Sequence, residues 1–415
     1  MDSSWSRTRG TLMAAEIAEQ PRALQRLLDR QLPEINKIAA AIRQAGPRFV
    51  LTDARGTSDN AALYFKYLAE IKLRLPSGSS SPSTMTTYRV VPDLRDVLWV
   101  TISQSGGSPD LIETTTMARE AGALTLAVTN APQSPLAQVA ELNIDIEAGV
   151  ESAVAATKSY TCQLLALYLL VDALMEGDGS AARILPGLAE SVLSQAGALQ
   201  LAPRYRFVDR IVTTGRAFSY PTALEAALKL METLNLSAHG FSSADLMHGP
   251  LAMIDQDRPV IAIVPEGPGG EATQPVLDRL ADRGADVVVV GDPHRAVGFA
   301  GCIPLPSGVP VELSPILEIM PLQQLAHLDK LRKDKGRIAH GNHFLEHFGQ
   351  AIELATTPNQ WPWLLQIVCR VIADLFEFGQ QTQHNAPPLH PFAAIQRGQR
   401  IADNFLVEIG LFLCQ

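Results

Sequence analysis

The stretch Val97–Thr129 reads VLWVTISQSGGSPDLIETTTMAREAGALTLAVT. Val97–Ser103 and Leu124–Thr129 are short runs of apolar and β-branched residues, while residues 110–121 between them have the spacing of a helix. Such runs suit strands whose two faces are both covered, and a helix between two strands carries the chain back so that the strands lie parallel. This one stretch therefore predicts an α/β protein with a parallel sheet.

The pattern extends in both directions. Phe49–Asp53 and Leu142–Ile146 read as further strands, and 60–73 and 157–175 as helices. From Met13 to Ala45 apolar residues recur at helical spacing (Ile17, Leu24, Leu27, Leu28, Leu32, Ile35, Ile38, Ile42), so one or two amphipathic helices precede the sheet. The same order then returns, with strands Arg210–Thr214, Pro259–Val264 and Asp286–Val290 and helices 221–235, 272–283 and 315–327. Arg55 and Leu63 lie 161 residues before Arg216 and Leu224, and Ser103 lies as far before Val264. A constant offset across several elements points to two copies of one unit. The predicted fold is two tandem, doubly wound parallel-sheet domains with helices on both faces, preceded by an N-terminal helical segment. Its divisions are an unstructured extension over 1–12, a first domain over 13–185, a second over 186–327, and an atypical tail over 328–415. Gly177–Glu190 is the expected linker.

Composition narrows the function. The chain has 415 residues, of which 47% are hydrophobic and 19% charged, and a net charge of −9. Such an acidic chain is a poor match for nucleic acid or an anionic membrane, so neither is expected as a partner. Nowhere do apolar residues run long enough to span a bilayer. The cysteines Cys162, Cys302, Cys369 and Cys414 are widely spaced in apolar stretches and read as buried free thiols of a cytoplasmic protein. His340, His343 and His347 in the tail are a weak metal pattern; no metal or cofactor is expected.

In an open parallel sheet the ligand site lies beyond the carboxyl ends of the strands. Three hydroxyl-rich elbows fall there: Arg55-Gly56-Thr57-Ser58-Asp59-Asn60, Ser103-Gln104-Ser105-Gly106-Gly107-Ser108, and Ala155-Ala156-Thr157-Lys158-Ser159. Hydroxyls, close-approaching glycine backbone and a helix N-terminus can wrap a phosphate without a cationic side chain. One such loop alone would be an ordinary Ser/Gly turn; three at one sheet edge point to a phosphorylated small molecule. The second copy has Val264-Pro265-Glu266-Gly267-Pro268 where the first has its Ser/Gly loop, so one phosphate site per chain is expected. It offers instead Glu225, Lys229 and Glu232 on one helix face, among residues so apolar that the helix should be buried with its charges facing a cavity.

The segments ARGTSDNAALYFKYLAE (54–70), SQSGGSPDLIE (103–113), ESAVAATKSYTCQL (151–164) and GRAFSYPTALEAALKLMETLNLSAHGFSSADLMHGP (215–250) closely resemble the isomerase half of glucosamine-6-phosphate synthase. On these motifs the region from about Met13 to His327 is identified as a tandem pair of SIS (sugar isomerase) domains. The resemblance implies that Ser58, Ser103, Gln104, Ser105 and Ser108 hold a sugar phosphate, with Thr57, Val154, Ala155 and Ala156 lining the sugar. It further implies Glu232 as the proton-transfer base, Glu225 and Lys229 as orienting groups, and His248 as the residue assisting ring opening. The activity expected is isomerisation or deamination of hexose or amino-sugar 6-phosphates such as fructose 6-phosphate and glucosamine 6-phosphate, by a homodimer. Three departures stand out. Asp2 follows the initiator where the synthases have a catalytic cysteine, so no glutaminase domain is expected. Asp245 replaces the usual Glu. After Pro321-Leu322-Gln323 the family's D-x-P-R-x-L-x-K segment, whose lysine enters the active site, is missing. This last departure leaves a non-catalytic, sugar-phosphate-binding regulator as the alternative. A DNA-binding regulator is disfavoured, because no helix-turn-helix or basic segment is present.

Overall fold

A computed structural model describes residues 12–205, 208–256 and 258–328 of the chain. The first helix, α1 (Leu12–Ala45), buries one stripe that includes Ile17, Leu24, Leu28, Ile35 and Ile42. It is one helix rather than two, and Leu12, expected in the extension, is its first residue; residues 1–11 lie outside the described residues. Pro21 has no N–H to give the Ile17 carbonyl four residues back. The Gln20 side-chain amide donates to that carbonyl instead, at 3.1 Å, and the helix continues.

The first sheet region runs β1 (Phe49–Ala54), α2 (Thr57–Leu68), β2 (Ser77–Ser79), α3 (Pro82–Thr86), β3 (Val97–Ser103), α4 (Pro109–Glu120), β4 (Leu124–Thr129), α5 (Pro135–Val139), β5 (Leu142–Asp145) and α6 (Lys158–Leu174). The strands are all parallel, in the order β2-β1-β3-β4-β5. The apolar run of β3 is buried along its whole length at the centre of the sheet. Nearly every residue of α6 is buried too, because the helix packs against both α1 and α2.

The second region runs α7 (Leu185–Ser194), α8 (Gly197–Leu201), β6 (Arg210–Gly215), α9 (Ser219–Leu234), β7 (Ser237–Ser242), α10 (Ser243–Met247), β8 (Val260–Val264), α11 (Pro268–Asp282), β9 (Val287–Gly291) and β10 (Gly301–Pro304), then a last helix, α12, over 314–328. Its parallel order, β7-β6-β8-β9-β10, is that of the first sheet. In each sheet the chain goes from the first strand to one edge and comes back on the other side of that strand. This leaves a crevice between the loops after β1 and β3, and another between those after β6 and β8; such reversal points are where α/β sheets bind ligands. The two regions meet where α9 packs against α2.

Cys162 is buried in α6, and burial pushes its thiol well above the usual range. Cys302, expected to be buried, is only half-buried, because it lies on the edge strand β10. Cys369, Cys414 and the tail histidines lie outside the described residues, as does the rest of the tail after Leu328. Among the described residues no helix is long and apolar enough to cross a membrane.

Candidate active site

The crevice of the first sheet is framed by the elbow after β1 and the loop after β3. The Ser103–Ser108 loop folds on itself: Ser103 Oγ accepts from the Gly106 N–H at 3.2 Å and Ser105 Oγ from the Gly107 N–H at 3.3 Å. Gly106 has φ of 59°, and a Cβ there would lie 2.1 Å from Ser134 Oγ, so no other residue fits this turn. The Asn130 N–H donates to the Gln104 carbonyl and pins the loop to the one after β4. Ser108 is the N-cap of α4 by backbone position, yet its hydroxyl makes no capping bond. Ser58 is buried, and its Oγ accepts from Gln163 Nε2 on α6 at 3.0 Å.

A cation tie joins the two elbows. Arg55 Nη2 reaches Asp110 Oδ2 at 2.7 Å, which binds the elbow after β1 to the first turn of α4. Below it, Asp53 is buried against Thr114, which donates to its carboxylate, and burial raises its pKa to about 6.

The second region supplies a charged row on α9. Lys229 is fully buried; its ammonium donates to Glu232 Oε2 at 2.6 Å and Thr57 Oγ1 at 3.0 Å and forms an ion pair with Glu225 Oε1 at 3.2 Å. Glu225, also fully buried, accepts from Thr57 Oγ1 at 3.1 Å and from Asn60 Nδ2 at 2.7 Å. Burial pushes the Glu225 carboxyl above its ordinary range even with Lys229 beside it. Thr57 and Asn60 begin α2, and so the first region's elbow and the second region's helix form one network. Sequence alone assigns Asn60 no role, yet it is a direct partner of Glu225. The missed signal is its spacing from Thr57, which puts both on one face of a helix.

Glu232 differs from its expected setting. Its side chain is 35% exposed, one turn beyond the buried Glu225–Lys229 pair on α9. His248 follows α10; it is exposed, and its ring makes no hydrogen bond or ion pair among the described residues. The structure therefore joins Thr57, Glu225, Lys229 and Glu232 but does not join His248 to them. In the segment between β5 and α6, the Val154 side chain is 84% exposed, Ala155 is buried with φ of 113°, and Ala156 is half-buried.

A family model for the SIS domain matches residues 42–173 and again 205–293. The chain belongs to the SIS domain family. The first SIS match contains both elbows of the first crevice and Val154–Ala156; the second contains the α9 row and His248. Glutamine–fructose-6-phosphate aminotransferase (isomerizing) of Pyrococcus horikoshii is 33% identical over 326 residues, which cover 76% of this chain and 54% of that protein. The chain thus spans about half the length of the curated relatives it matches. Among solved SIS structures, a protein of Silicibacter pomeroyi named as a phosphosugar isomerase is 32% identical with a TM-score of 0.71, covering 78% of this chain and 98% of that one. The C-terminal domain of glucosamine-fructose-6-phosphate aminotransferase from Francisella tularensis is 27% identical with a TM-score of 0.70, covering 79% and 98% respectively.

Proposed function

We propose that this SIS protein moves a proton between C1 and C2 of a hexose or amino-sugar 6-phosphate, interconverting aldose and ketose forms and, with an amino sugar, releasing ammonia. The observation that carries the reading is the network in which Thr57 and Asn60 of one region grip Glu225 and Lys229 of the other. Lys229 holds one carboxylate oxygen of Glu232 and, with the same ammonium, Thr57 of the elbow after β1, which supports Glu232 as the base. The other oxygen has no partner among the described residues and is free to take a proton.

In the proposed reaction the phosphate lies in the Ser103–Ser108 loop with Ser58 and Gln104, and Thr57 with Val154–Ala156 lines the sugar. His248 assists ring opening. Glu232 then removes the C2 proton of the aldose and returns it to C1 through an enediol or enolamine; water attacks the resulting C2 imine of an amino sugar, giving ketose and ammonia. Glu225 and Lys229 hold the base and the sugar in place. A cytoplasmic homodimer is part of the same reading.

The test is Glu232→Gln, which keeps shape and removes basicity. Substrate binding should persist while kcat falls by about 10² to 10⁴, read as ammonia release from glucosamine 6-phosphate and separately as aldose–ketose interconversion. Binding without turnover in the wild type would leave the regulatory alternative, which the departure from the lysine-bearing motif after Gln323 favours.

A further inference from the structure

Residues 147–157 connect β5 to α6 with no helix or strand of their own, yet they are held at several points by one element, α1. At the near end, Arg26 Nε donates to the Glu147 carbonyl at 2.7 Å, while Arg30 and Gln31 both reach the Glu147 carboxylate at 3.2 Å. Further along, the buried Glu16 carboxylate accepts the Ser152 N–H at 2.6 Å and the Ala153 N–H at 3.2 Å. At the far end the buried Lys158 ammonium pairs with Glu19. Glu16 and Glu19 are one turn apart on the same helix face, so a single rigid surface grips the segment on both sides of Val154–Ala156.

Between these grips Ala155 has φ of 113° and is buried. A non-glycine residue persists in such a backbone conformation only when its surroundings over-determine it. Two further bonds do so from other directions: Glu151 Oε1 accepts the Thr157 N–H at 2.9 Å, and Gln323 of α12 donates to the Thr157 carbonyl at 3.2 Å. A buried carboxylate such as Glu16 is costly unless its hydrogen bonds are made. The carboxylate and the two amides therefore fix each other.

We infer that Glu16 and Glu19 of α1 are positioning residues for the reaction: they hold the chain on either side of Val154–Ala156 and so present that backbone to the sugar. Neither touches substrate. The inference rests on the sugar-lining role proposed above for Val154–Ala156, and it makes the N-terminal helix a working part of the site.

The experiment compares the full wild-type chain with Glu16→Ala, Glu16→Gln and Glu19→Gln. Amide hydrogen exchange at 152–157 should be about tenfold or more faster in Glu16→Ala, with the amides of β3 and β8 unchanged, and near wild type in Glu16→Gln, which keeps an acceptor oxygen. Glu19→Gln alters an exposed side chain, takes the carboxylate from the buried Lys158 while leaving an acceptor oxygen, and provides a second variant if Glu16→Ala does not fold; in it the amides at 157–159 should exchange faster. Unchanged exchange at these amides overturns the clamp whatever the ligands do. In calorimetry, Glu16→Ala should weaken fructose 6-phosphate binding about tenfold and leave inorganic phosphate binding as it was. Equal weakening of both ligands would overturn the positioning role. Wild-type protein that binds no fructose 6-phosphate would overturn the sugar reading itself, a failure distinct from that of the clamp.

Discussion

Replacing Lys229 by Met should strand a buried charge. Lys229 and Glu225 are both fully buried, and the lysine is the only cation in contact with that carboxylate among the described residues. Without it, Glu225 keeps only the Thr57 and Asn60 hydrogen bonds. Removing one member of a buried ion pair costs about 3–5 kcal/mol, a large share of the roughly 5–15 kcal/mol that holds a domain folded. The double variant Lys229→Met/Glu225→Gln carries no buried charge, and its amide can still bond Thr57 and Asn60, so it should be more stable than Lys229→Met alone. The penalty also has a pH signature. Burial already raises the Glu225 pKa above its ordinary 4.5, and loss of Lys229 raises it further. The folded variant then holds a proton that the unfolded chain has released, so its stability falls as pH rises from about 4.5 through the native pKa. Urea unfolding at pH 5 and pH 8 measures both effects. A Lys229→Met cost below about 1 kcal/mol at pH 8, or a double variant no better than the single, would refute the reasoning.

Two further perturbations address the first region. Asp53 is buried with its pKa raised from 3.8 to about 6, so the folded state binds more protons than the unfolded one across that window and stability drops by about 3 kcal/mol as pH rises through it. Asp53→Asn should remove that drop, making the variant the more stable protein above pH 6 and giving no advantage below pH 4; parallel unfolding curves at all pH values would contradict this. The double change Ser105→Ala, Ser108→Ala should weaken sugar-phosphate affinity by about 1–3 kcal/mol through two lost hydrogen bonds to a charged group, and barely affect the unphosphorylated sugar. Equal loss for both ligands in calorimetry would remove the phosphate assignment.

Central strands and long helices were legible in the sequence, while three short strands were not. β3, β4, β8 and β9 are buried apolar runs and fall at or within a residue of their expected bounds. β2 (SGS), β7 (SAHGFS) and β10 (GCIP) are edge or outer strands with few apolar residues, and hydropathy gives no sign of them. Only the fold shows them, because each is defined by its backbone pairing with a neighbour. The charged row of α9 was legible from spacing, and burial of Glu225 and Lys229 follows from the apolar residues around them. The exposure of Glu232 was not, since a helix's apolar pattern does not show where its neighbours end. The Arg55–Asp110 tie and the grip of α1 on residues 147–158 join positions far apart in sequence. No local pattern encodes such contacts.

The proton transfer assigned to Glu232 can be watched directly. Fructose 6-phosphate incubated with the protein in D2O should take up deuterium at C1, followed by proton NMR, and Glu232→Gln should slow that uptake by about 10² to 10⁴. Wild-type protein that binds fructose 6-phosphate but neither exchanges its C1 proton nor forms an aldose would contradict the account.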